Sequence, residues 1–204
     1  MQYSGTVDMG TPGAGSRAGI LLGFVPLISY GLLAGPSVQS KALALGAATL
    51  VTLVVGFGDL KKRRILTWTS LVLFGGLLIA TVGLALTGIL PWSGVLIYAV
   101  LASVTFASIL AGVPFTLQYA REMVDPAHHK NPVFLRVNIL MTGLWGGIFA
   151  VNALLDYFAL VFPGPAGETA ALITYGTLAV GIVFTLCYPV HIKKKYTRTS
   201  SAGQ

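Results

Sequence analysis

The sequence predicts an all-α polytopic membrane helix bundle with six transmembrane helices and both termini cytoplasmic. Three observations predict it. The first is composition: of 204 residues, 55% are hydrophobic and only 9% are charged, and the mean hydropathy is +0.81. A soluble domain carries about 25% charged residues, so this chain lacks the surface that would face water. The second is a recurrence of apolar runs near the ~20 residues a helix needs to cross the hydrocarbon. They fall at 18–35, 42–58, 65–88, 92–113, 133–155 and 169–190. Helices are expected because the bilayer core offers the backbone no water, and the short alternating strands of a barrel are absent. The third is the placement of the bases. With six spans, every Lys and Arg except Lys41 shares one side. The positive-inside rule makes that side cytoplasmic.

The elements follow in order. Residues 1–17, rich in Gly, Ser and Thr, read as a disordered cytoplasmic tail. No charged segment leads into an apolar core there, so no cleaved signal is expected. Residues 18–190 form the transmembrane domain, and 191–204 a basic cytoplasmic tail. Pro26 in GFVPLISYG predicts a kink in the first span. The second span is short, and tilted or partly interfacial. The loop bases Lys61, Lys62, Arg63 and Arg64, with Lys193, Lys194 and Lys195 in the tail, read as topology and headgroup anchors. Trp68 and Trp92 lie near span ends, where indoles anchor at the interface. Gly75 and Gly76 point to close helix contacts in the third span. Short connections at 36–41 and 88–91 make spans 1 and 2, and 3 and 4, antiparallel neighbours.

Residues 114–132 read as a cytoplasmic amphipathic segment. On a helix over 114–125, Phe115, Leu117, Tyr119, Ala120, Met123 and Val124 share one arc, with the polar residues opposite. The aromatics suit the headgroup level. The alternative is a simple extension of the fourth span. A turn, DPAHHKNP, follows. Its His128 and His129 are adjacent, whereas a metal pair prefers one-turn spacing, so a solvated turn is the reading and no metal is expected.

The fifth span concentrates the polarity. Asn138, Thr142, Trp145, Phe149, Asn152 and Asp156 lie within about 80° of one helix face at 3.6 residues per turn. Gly143, Gly147 and Ala150 lie on another face at close-packing spacing. Both faces therefore meet protein, and this helix is central. Asn138, Thr142, Trp145 and Asn152 are the candidate partner or ligand contacts; interhelical hydrogen bonding is the plainer role for the two asparagines. Arg136, at the cytoplasmic end, reads either as a headgroup anchor or as a functional charge. Asp156 sits at the outer end, toward water.

No charge lies mid-span, so no proton chain or counter-ion pair is visible. There is no Ser-His-Asp set, no HExxH and no P-loop, and enzymatic activity has no positive support. No histidine lies mid-membrane to ligate a haem, so no cofactor is expected. The single Cys187 allows neither an intramolecular disulfide nor a cysteine metal site. The net charge of +7 is explained by topology, so no nucleic acid is expected as a partner. No internal repeat of the carrier type is present.

Two stretches resemble the septation protein A family of bacterial inner-membrane proteins. They are KKRRILTWTSLVLFGGLLIATVGL, residues 61–84, and LRVNILMTGLWGGIFAVNAL, residues 135–154, with Arg136, Asn138 and Asn152 at matching positions. FVPLISYGLLAG resembles the family's first helix, and the likeness runs over about residues 18–157. It implies a non-enzymatic inner-membrane protein that assists or scaffolds a complex linked to the cell envelope and division. Its partners would be the lipid bilayer and membrane proteins or further copies of itself. The alternative is a small permease or lipid-handling protein with a polar pocket on the fifth span.

Overall fold

The computed structural model describes residues 19, 21–35, 37–122 and 124–201, with side chains through Ile192. Among the described residues the chain is helical throughout, without a strand. In chain order the α-helices are α1 (Val25–Leu33), α2 (Val38–Val55), α3 (Phe57–Lys61), α4 (Ile65–Leu78), α5 (Ser93–Leu110), α6 (Phe115–Ala120), α7 (Pro132–Val161) and α8 (Pro165–Ser201). A π-helical turn, Ile79–Gly83, continues α4, and a 3-10 segment, Thr87–Trp92, leads into α5. Five helical stretches are long and apolar enough to cross a membrane: Val38–Val55, Ile65–Gly83, Thr87–Leu110, Pro132–Val161 and Pro165–Ile192. Leu32, Leu43, Val72, Leu110, Leu154 and Leu172 stand exposed on the bundle's outside. Such a surface suits lipid and not water. The molecule is a helical, multi-pass membrane bundle.

Local chemistry sets the helix ends. Ser37 caps α2, its Oγ accepting from the Ser40 N–H at 3.0 Å. Asn131 caps α7 by accepting from the Val133 N–H at 2.8 Å, with Pro132 in the first turn, where a missing N–H does no harm. The N-terminus of α4 is capped from a distance: Gln118 Oε1 of α6 accepts the Ile65 N–H at 2.9 Å. The predicted first span is interrupted just before Pro26. The chain turns at Gly23 and Phe24, and α1 begins immediately before Pro26. Proline lacks the donor and collides with the preceding turn, which ends any helix arriving from the N-terminal side.

Helix α7 is central, as its two protein-facing faces require. It packs on α5, α6 and α8, while α1 lies against α2, and α2 against α4. At its core Phe24 stacks on Trp145 with centroids 4.0 Å apart, and Phe149 and Tyr98 extend the aromatic cluster. The glycine contacts differ from expectation. A Cβ on Gly76 or Gly147 would meet open space, and one on Gly75 or Gly143 would make only ordinary contact. Closer approaches involving α7 are at Gly146, against Phe106 and Thr105, and at Gly181 of α8, where Trp145 Cη2 would lie 2.9 Å away. The reason is rotational. The face next to the polar stripe is taken by α5 and α8, which turns Gly147 away from both.

The amphipathic segment is also corrected. Its helix spans Phe115–Ala120 only, and Phe115, Leu117 and Tyr119 are buried in protein and do not lie against headgroups. A short helix tucked under α7 gains more by covering its apolar stripe with side chains. The predicted tail 1–17 lies outside the described residues, as do the side chains of Lys193, Lys194 and Lys195. The backbone of 191–201 continues α8.

Candidate functional site

The polar stripe of α7 is wholly interior: Asn138, Thr142, Trp145 and Asn152 are all buried. Their hydrogen bonds join α7 to its neighbours. Thr116 Oγ of α6 lies 2.8 Å from Thr142 Oγ and donates to the Asn138 carbonyl at 3.0 Å. The Asn138 amide itself donates to Phe134 O, one turn back on α7, at 2.9 Å. Trp145 Nε1 donates to Thr185 Oγ of α8 at 3.0 Å, and Thr177 Oγ of α8 donates to Asn152 Oδ1 at 2.6 Å. Each bond occupies a group that would otherwise be stranded in hydrocarbon. Asn152 Nδ2 is fully buried without a partner among the described residues. Arg136 stands exposed near the start of α7. At 1.5 Å per residue the 30 residues of α7 measure about 45 Å, more than the ~30 Å hydrocarbon, so this terminus reaches the headgroups.

A second cluster ties the two base-bearing connections together. Arg64, expected as an anchor, is buried. Its Nη1 contacts Asp59 Oδ1 at 2.9 Å and its Nη2 contacts Glu122 Oε2 at 2.6 Å. Its guanidinium lies 4.0 Å from the Tyr119 ring centroid. Lys62 also reaches Glu122, at 3.0 Å, so it is paired as well. Burial pushes the Glu122 carboxyl up, but the hydrogen bonds from Arg64 and Lys62 outweigh this and hold it below the usual carboxylate range. Preceding this clasp, Arg63 takes a left-handed φ of 53°, a strained conformation for a side chain with a Cβ. Lys61, Arg63, Arg121 and Lys130 of the same two connections are exposed, as is Arg136. His129 Nε2 donates to Val124 O, 2.8 Å away, and its ring stacks on Phe134; it is part of a folded turn, half-buried.

The opposite end holds a cavity of about 720 Å³ between α1, α2, α5, α7 and α8. Lys41, Tyr98, Asp156 and Tyr175 line it. Asp156, on the predicted stripe, lines this cavity and is half-buried. Its carboxylate lies against Gly94, where a Cβ would overlap Asp156 Oδ2. Glycine at that position is what admits the acid to the first turn of α5, a region that favours negative charge. None of Asn138, Thr142, Trp145 and Asn152 lines the cavity. Lys41 was the one base assigned to this side by charge placement, and Asp156 the last member of the stripe. The pairing of those two signals is what sequence reasoning passed over.

The contacts define two ends of the bundle. Gly19 lies beside Arg64 and Tyr119 at the clasp, and Gly31 beside Tyr175 at the cavity. Comparison with family models, with curated proteins and with solved structures finds no match for this chain.

Proposed function

We propose that this chain is a non-catalytic protein of a bacterial inner membrane that crosses it six times, with both termini in the cytoplasm. It assists or scaffolds a membrane complex of the cell envelope and division machinery, as the resemblance to the septation protein A family implies. The observation that carries the reading is the fate of the α7 stripe. Three of its side chains, Thr142, Trp145 and Asn152, are used to join α7 to α6 and α8. A sixth crossing is supported by the course of residues 19–33 from the clasp to the cavity end. Orientation is supported by the exposed bases of the two connections that the clasp joins.

Cross-linking in native membranes, followed by purification in mild detergent, tests this reading. The expected result is one envelope membrane protein recovered in near-stoichiometric amount. Recovery of the chain alone, at every cross-linker length, would overturn it. A small permease or lipid-handling protein is the second reading. The cavity beside Lys41 and Asp156 favours it, at a different place from the polar pocket expected on the fifth span.

A further inference from the structure

We propose that the cavity at the Asp156 end binds a zwitterionic headgroup: a primary ammonium with a phosphate or carboxylate a few ångströms away. Two opposite charges line the cavity without satisfying one another. No ion pair joins Lys41 to Asp156, and neither side chain makes a hydrogen bond among the described residues. Both side chains are half-buried in the cavity wall, so a ligand carrying both complements gains a charge-assisted hydrogen bond at each. Lys41 takes the anion and Asp156 the ammonium.

The remaining ionisable groups of the lining fit this assignment. Glu168 adds a second acid. The Tyr30 hydroxyl is occupied by Ser93 at 2.7 Å, and the Tyr175 hydroxyl donates to Gly31 O at 2.8 Å. Both rings still border the cavity, as does that of Tyr98, and aromatic faces attract ammonium groups. Leu90, Val95 and Leu160 supply apolar wall beside the charges. The volume of about 720 Å³ falls within the ~300–1,000 Å³ of small-ligand sites.

Depth points to the same ligand. Lys41 is in the first turn of α2, and Asp156 is between one and two turns from the end of α7. At 1.5 Å per residue both lie within about 8 Å of their helix ends, the level of lipid headgroups. A free zwitterion carries the same chemistry as a lipid headgroup, and the experiment separates the two. The inference does not rest on the scaffold reading, since a chain recovered without a partner would still bind.

Delipidated protein in maltoside detergent is titrated with dihexanoyl phosphatidylethanolamine, with phosphoethanolamine, and with dihexanoyl phosphatidylglycerol, which has no ammonium. Thermal unfolding reads the binding. Saturable stabilisation by phosphatidylethanolamine alone assigns a lipid headgroup; equal stabilisation by phosphoethanolamine assigns a free zwitterion. In either case affinity falls about tenfold or more in Asp156→Asn and in Lys41→Gln. Ala159→Phe, which keeps both charges and fills the cavity, also abolishes binding and guards against misfolding of the charge variants. Equal response to phosphatidylglycerol, no saturable response to any probe, or full binding by Ala159→Phe would overturn the proposal.

Discussion

Arg64 shows how far a residue's role depends on what meets it in space. In the sequence it is the last of four bases in a loop, which reads as an anchor. Its partner Glu122 lies 58 positions away, and no local pattern reveals that contact. By contrast, the α7 stripe was legible, because helical periodicity alone puts Asn138, Thr142, Trp145 and Asn152 on one face. Arg64→Met takes away the ion-pair partner of Asp59 and leaves Glu122 with Lys62 alone. We expect a loss of about 2 kcal/mol, below the ~3–5 kcal/mol of a fully buried pair because Glu122 is half exposed. Denaturant titration in detergent measures it, and Arg64→Lys should recover only part, since one ammonium cannot replace the guanidinium fork. The pH dependence follows in sign. Glu122 is held below its ordinary 4.5, so its contribution is complete above that pH and is lost as pH falls through the folded value. Glu122→Gln should flatten the decline in melting temperature on the acid side of pH 4.5.

Among the elements, long apolar runs were easy to place, while their internal breaks and contacts were not. The third run continues to 88 by hydropathy, yet the membrane-length helix stops at Gly83, and Ala85 takes a left-handed φ of 56°. Hydropathy averages over a window and does not register such a turn. Small residues likewise mark several possible packing faces, and only the neighbours decide which is used. Gly181→Ala should destabilise by about 1–3 kcal/mol, because the Trp145 indole it meets is held by Thr185 and Phe24 and cannot yield. Gly147→Ala meets open space and should stay within about 0.5 kcal/mol of the parent. Equal effects in thermal unfolding would contradict the packing described. The short α6 was the hardest element to read. An amphipathic stripe has the same pattern whether lipid or protein covers it, and here α7 and the clasp cover it.

For the whole molecule, the helical, multi-pass character was readable, since hydropathy sums over many residues. The cavity was not, because it is made by side chains from five helices whose approach no single segment encodes. The proposed orientation gives a direct test. With Cys187 replaced by Ser, an impermeant thiol reagent applied outside intact cells should label Ser37→Cys and Pro163→Cys, and should label Lys61→Cys only after lysis. Labelling of Lys61→Cys in intact cells would reverse the orientation, and labelling of both ends would refute a single topology.

The clasp also has a consequence for the order of synthesis. During translation, residues 59–64 emerge well before Glu122, with two membrane-length helices between them. Throughout that interval Arg64 has only Asp59, and it belongs to a run of bases that resists translocation. Once α5 is inserted and α6 follows, Glu122 and Tyr119 arrive and the guanidinium is enclosed. Under the proposed orientation, one side chain serves in succession as a signal for the insertion machinery and as the fastener of the finished bundle. A chain arrested after Leu110 would retain the signal and lack the fastener.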